Sequence, residues 1–205
     1  MKGVIKKISS DPLGLIGLCL VTLMVISALG APIFAPYDPI QLNIMERLQG
    51  PSVNHLLGTD QLGRDLFSRV LFGGQVALKV AFLTIGLALI VGIVLGLIAG
   101  YGPAWLDNSI MLLFDTIRSV PTIMLALAAV AVVGPSITTV IFVIAVSSIP
   151  NYGRIVRTQT LTIKSKDFVN AERLMGASLL RILSIHLLPN ILGPLLILAS
   201  MDIPT

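Results

Sequence analysis

The sequence predicts an all-α integral membrane protein, a multi-span helical bundle, on three observations. The chain of 205 residues is 55% hydrophobic and only 12% charged, about half the charge of an ordinary soluble domain. Its mean hydropathy is +0.96. Its apolar residues come in blocks instead of alternating with polar ones: no charge falls between Pro12 and Tyr37, Val80 and Gly102, or Ser119 and Gly153. Each block reaches or exceeds the ~20 residues needed to cross a bilayer as a helix.

The first span is predicted at about 13–36, after a tail carrying Lys2, Lys6 and Lys7. Its apolar run exceeds the ~7 to 15 residues of a signal h-region, so it reads as an uncleaved helix within residues 1–36. Cys19, the single cysteine, falls inside it and rules out a disulfide framework or a cysteine metal site. Residues 37–79 form the one long polar segment, and further spans are predicted at about 80–101, 108–133 and 136–152. The segment from Arg154 to Arg181 has six basic residues against two acids. By the positive-inside bias both it and the N-terminus are cytoplasmic, which places residues 37–79 outside and requires an even number of intervening spans.

Within the third span Asp115 and Arg118, three apart on one face, are predicted to pair beside a kink at Pro121. Gly134 and Pro135 mark the turn into the fourth, whose end offers Ser147, Ser148, Asn151 and Tyr152 as candidate pathway-lining groups. A fifth apolar run, Leu187 to Met201, is short for a crossing, so the bundle is expected to be C-terminally truncated.

Gly92, Gly96 and Gly100 recur every four residues on one face of the second span, where backbones can approach closely. The partner is either a helix of this chain or one of a second subunit. In the polar segment, Thr59 or Asp60 is predicted to cap a short helix with a partly apolar face of Leu66, Val70 and Phe72, and Asp60 and Arg64 to pair at i, i+4. His55, Asp60 and Asp65 lack a recognisable ligand spacing, so no metal site is expected. No nucleophile stands beside a base, and no GxxxxGK[ST] occurs, so no catalytic residue, cofactor or phosphate-cradling loop is expected in the chain. The formal charge of +4 comes from loops beside spans, which argues for topology and not for nucleic acid.

The most informative stretch runs from about 164 to 190. Lys166, Asn170 and Arg173 fall on one side of a helix, with Phe168, Ala171 and Met175 on the other. Glu172 lies on the otherwise apolar side, where it must find a cation or stay exposed. Gly176 suits a left-handed residue past the helix end, and Ser178 can cap a second helix running to Leu188 before Pro189. Two short helices should meet at a glycine elbow.

This stretch resembles the EAA loop of ATP-binding cassette importer permeases: a triplet at Asn170, Ala171 and Glu172, then Gly176, then Leu188-Pro189. The family's leading glutamate is Asn170 here, and the acid comes two residues later. "HLLGTDQLGRDLFSRVLFG", "AGYGPAWLDNSIM" and "GPSI" are similar to the C-type permease of dipeptide, oligopeptide and nickel importers. The resemblance implies a type I importer transmembrane domain over residues 80–205, lying in the cell membrane. It further implies pairing with a homologous permease, two cytoplasmic ATPases and an external solute-binding protein, with ATP hydrolysed by the ATPases. A peptide is the implied solute, with a nickel chelate, or a non-transporting membrane scaffold, as the alternatives.

Overall fold

The computed structural model describes residues 11–202, apart from the side chains of Arg173 and Leu180. Lys2, Lys6 and Lys7, on which the predicted orientation partly rests, lie outside the described residues. Among the described residues nine α-helices follow one another: α1 (Pro12–Leu29), α2 (Ala31–Phe34), α3 (Leu66–Tyr101), α4 (Ala104–Ser119), α5 (Thr122–Val133), α6 (Ile137–Lys164), α7 (Asp167–Leu174), α8 (Leu179–Arg181) and α9 (Leu188–Asp202). A π turn, Ile182–Leu187, joins the last two. Among the described residues four helical stretches are long and apolar enough to cross a membrane, five if α4 and α5 count as one bent span. The chain divides into two units, Met1–Lys79 and Val80–Thr205.

In the first unit Asp11 starts α1. Its carboxylate accepts from Leu13 N at 3.1 Å, and Pro12 sits where a missing N–H costs nothing. Most of α1 is exposed in the isolated chain, Cys19 included, which is the expected state of a helix whose solvent is lipid.

The polar segment is held by its own side chains. Asp60 accepts from the backbone N–H groups of Leu62 (2.8 Å) and Arg64 (3.0 Å) and from Arg64 Nε (2.8 Å), and also pairs with Arg69. The predicted Asp60–Arg64 pair is therefore present, but the predicted cap is not. Asp65 caps α3, accepting from Ser68 N at 2.7 Å, because Asp60 is already spent on its own turn. The short separate helix is likewise absent. Leu66, Val70 and Phe72 belong to a 36-residue helix that passes through Gly73 and Gly74 without a break.

His55 is buried behind this cap. Its Nδ1 lies 2.9 Å from Asp65 and its Nε2 3.5 Å from Glu46, and the Tyr37 ring stacks on it at 4.9 Å. Its hydrogen bond to Asp65 outweighs burial and raises the pKa above 6.5, with Glu46 adding to the effect. Burial would raise Asp65, but the Ser68 N–H and His55 hold it below 3.8.

The second unit is built on a row of small residues. Thr84, Ala88, Gly92, Gly96 and Gly100 form a buried stripe on α3, two turns longer than the three glycines alone. A Cβ at Gly92 would meet Tyr152 Cβ at 2.7 Å, one at Gly96 would meet Val156 Cβ at 2.6 Å, and one at Gly100 would meet Thr160 Cβ at 2.7 Å. The partner of the stripe is thus α6 of the same chain. Phe114 of α4, fully buried, fills the space left by Gly153 on α6.

The predicted third span at 108–133 is two helices bent by 83°. Pro121 offers no N–H, and its ring forces Val120 out of the helical region to φ −98, ψ 126. What sequence reads as a kink is a break. The fourth span also differs from 136–152. Ser136 caps it through Thr139 N at 3.0 Å, and the helix then runs on to Lys164 with Pro150 inside it. Likewise Pro189 does not separate two elements, since the last candidate span is one helical stretch over Ile182–Asp202.

Two measurements check this account. Replacing Gly96 by Leu should overpack the α3–α6 contact and lower stability by about 1–3 kcal/mol, read as a fall in thermal aggregation temperature in detergent. An unchanged temperature would mean the two helices do not touch there. The His55 cluster gives a pH dependence. A group whose pKa is raised on folding stabilises fully below its unfolded value and loses that contribution as pH climbs through the raised value. A depressed carboxylate loses its own contribution as pH falls through the depressed value. Protection of residues 46–65 from hydrogen exchange should therefore plateau between about pH 4 and 6.5 and decline above, and His55→Gln should flatten the alkaline limb.

Candidate functional site

The segment after α6 is positioned by the end of that helix. Lys164 Nζ reaches the Tyr101 carbonyl at 3.1 Å and sits 5.0 Å over the Tyr101 ring, satisfying a C-terminal carbonyl of α3. The following residues fold back as α7, anchored by Val169, which is fully buried. The helix ends in a Schellman motif: Ala177 N donates to the Glu172 carbonyl at 3.0 Å, and Gly176 takes φ 81. A Cβ at Gly176 would find no atom within 4 Å, so the glycine is required by backbone angle and not by crowding. Ser178 caps the next helix, accepting from Arg181 N. The predicted elbow, with this glycine and this cap, is the observed geometry.

Glu172 meets His186, whose Nε2 lies 3.4 Å away across the elbow. The Phe168 and His186 rings lie 5.9 Å apart and reinforce the same contact. The predicted second helix does not run straight to Leu188. Its backbone widens into the π turn because Pro189 cannot donate to the Ile185 carbonyl and its ring crowds that oxygen. The extra residue keeps Ile182 and Leu187, five apart, on one buried face with Ile191, Leu195 and Ala199. Leu188 and Pro189 open α9, and Asn190 Nδ2 donates to the His186 carbonyl at 2.7 Å.

The apolar side of α7 is the main departure from a surface helix lying on its own chain. Leu174 is 90% exposed and Met175 74%, and Phe168, Ala171, Leu179 and Ile185 are exposed as well. Beside them a depression of about 330 Å³ is lined by Glu172, Met175, Gly176, Ala177, Ser178 and Arg181. Asn170 is exposed on the rim of the same helix. The exposed apolar side chains are contiguous and have a charged rim formed by Glu172 and Arg181.

The candidate lining residues separate. Tyr152 is fully buried, with its hydroxyl donating to Asp202 at 2.6 Å, so it is a packing residue of the α3–α6 contact and does not line a pathway. Ser147, Ser148 and Asn151 stay partly open. Asp115 and Arg118 do not pair with each other. Each reaches α6 instead, Asp115 to Arg154 and Arg118 to the Asn151 amide. Below them Arg157 and Asp107 form a two-bonded pair, with Nη2 donating to Oδ2 at 2.6 Å. These partners lie 33 to 50 residues apart, so local spacing could not reveal them. The available signal was the matching of acids on α4 with arginines on α6. Of the residues weighed as metal ligands, His55 and Asp65 are joined to each other, and Asp60 is committed to Arg64 and Arg69.

Comparison with known proteins gives the family. Residues 92–205 match the family described as binding-protein-dependent transport system inner membrane component, and residues 1–51 match the N-terminal TM domain of oligopeptide transport permease C. The chain is 37% identical over 200 residues to a dipeptide transport system permease protein of Alkalihalophilus pseudofirmus, covering 98% of this chain and 66% of that one. It is 39% identical over 192 residues to a di/tripeptide transport system permease protein of Pseudomonas aeruginosa, covering 91% and 63%. A glutathione transport system permease protein of Pectobacterium atrosepticum is 38% identical over 184 residues, covering 89% and 61%. The chain thus spans about 61 to 66% of the length of these relatives. With a transport family matching it over residues 92–205, more than half its length, the chain belongs to the binding-protein-dependent transport system inner membrane components.

Proposed function

We propose that this chain is the permease subunit of an ATP-driven, binding-protein-dependent importer of short peptides. One observation carries the reading: α7 presents exposed Leu174 and Met175 beside a left-handed Gly176, on a loop braced by Val169 and the Glu172–His186 contact. A short helix with an open apolar face fits a groove on a soluble partner. In this family setting that partner is a cytoplasmic ATPase, two copies of which would serve this chain and a homologous second permease. Closure of the ATPases on ATP would move α7 on each permease, and through Lys164 and the end of α3 that motion would reach the spans. The solute would arrive from an external binding protein. Peptide is favoured as solute because two relatives carry di- or tripeptide transport in their names.

The orientation follows from charge. Six basic residues against two acids between Arg154 and Arg181 support a cytoplasmic α7 loop. The N-terminus then lies on the same side and the His55 segment outside. In a Cys19→Ser background, a cysteine at Gln61 should react with an impermeant thiol reagent from outside intact cells, and one at Lys164 should not. The reverse pattern would overturn the orientation and with it the docking assignment.

Coupling is tested at the elbow. A β-branched residue held at φ 81 costs about 1–2 kcal/mol and redirects both helices. Gly176→Val in the full-length permease should leave membrane insertion intact while abolishing ATPase co-purification and uptake, and Glu172→Lys should weaken both less severely. Wild-type recruitment and uptake by the Gly176→Val protein would make the segment a surface connector only.

A further inference from the structure

The small-residue contact fixes the depth of the charged groups. Gly92 lies against Tyr152 and Gly96 against Val156, so Asn151 and Arg154 sit level with the turn between those glycines. That turn lies inside the charge-free run from Val80 to Gly102, and its start at Gly92 is near the middle. At 1.5 Å per residue Gly92 is ~18 Å from one end of the run and ~15 Å from the other. Asp115, bonded to Arg154, and Arg118, bonded to Asn151, lie at the same depth.

These groups are open. Asp115 is 67% and Arg154 41% exposed at the side chain, and Arg118 is exposed as well. They continue a polar stripe on α6, where Ser147, Asn151, Arg154 and Thr158 follow at intervals of four, three and four residues. Such spacing keeps all four within about 60° of one helix face, opposite the packed Tyr152. A charged face at that depth cannot be turned to hydrocarbon. Nor does it suit a dry protein contact, because its charges do not balance. Asp115 answers Arg154, while among the described residues Arg118 is met by the neutral Asn151 amide and by no carboxylate. An unbalanced cation is tolerable where water reaches it and useful where an anionic group passes.

We propose that Ser147, Asn151, Arg154 and Thr158 of α6, with Asp115 and Arg118 of α4, line the water-filled solute pathway, and that Arg118 receives the carboxylate of a zwitterionic solute. This rests on the permease reading and names the residues of its pathway. Serine and asparagine give the solute weak, exchangeable hydrogen bonds, and the one uncompensated guanidinium orients it without a paired cage that would retain it.

The test uses the full-length protein in membrane vesicles, in a Cys19→Ser background, with single cysteines at Ser147 and Thr158 and controls at the exposed apolar Ile90 and Phe142. Two impermeant thiosulfonate reagents serve as probes, an anionic sulfonate and a cationic trimethylammonium. Ser147→Cys and Thr158→Cys should label, and the controls should label only after unfolding in sodium dodecyl sulfate. At Ser147→Cys the anionic reagent should react several-fold faster than the cationic one, relative to free thiol, and adding Arg118→Gln should erase that preference. Failure of both stripe cysteines to label until the protein is unfolded would overturn the pathway assignment. A preference that survives Arg118→Gln would overturn the role of Arg118. Labelling reads water at the face directly, whereas a wild-type protein without ATP-driven dialanine uptake would overturn the peptide-import reading alone.

Discussion

The contact between α3 and α6 is the constraint on which the second unit depends. Without side chains at Gly92, Gly96 and Gly100, the two backbones come close enough for Tyr152, Val156 and Thr160 to rest on bare helix. In lipid no hydrophobic force pushes helices together, so dispersion over such a seam must hold them. The seam also sets the rotation and height of α6. Gly153 then faces Phe114 and fixes α4, Lys164 meets the end of α3, and the loop beyond leaves at a defined place.

The charge placement follows from the same geometry. With α6 rotated to bury Tyr152 and Val156, its opposite side carries Arg154, and Arg157 is turned toward α4. The pair between Arg157 and Asp107 is bidentate and nearer the charge-free run's end, where it neutralises both ends. Higher up, pairing is incomplete. The bundle thus changes along one face from a balanced clamp to an open polar surface, and the break at Pro121 begins one turn above Arg118.

Much of this was legible beforehand, for physical reasons. Long charge-free runs have no alternative to spanning helices, small residues every four positions have few uses outside a helix contact, and a glycine between two capped helices points to φ above zero. The Gly176–Ser178 elbow was readable because its signals are local. What was not legible depends on competition. Asp60 and Asp65 are equally good caps in sequence, and only the turn that consumes Asp60 leaves Asp65 to start α3. Asp115 and Arg118 are well spaced to pair, yet partners on α6 outcompete each for the other. Pro121 reads the same whether the helix bends slightly or turns by 83°. Tyr152, grouped in sequence with polar neighbours, is assigned to the packed side by helix rotation alone.

The widened turn over Ile182–Leu187 holds one residue more than an α-helix has room for. A helix in that condition resembles a crystal row whose dislocation is pinned by an impurity: Pro189, with no N–H to exchange, holds the surplus residue where it is. The pinned defect keeps Ile182 and Leu187 in register with Ile191 across a proline that would otherwise have broken the row.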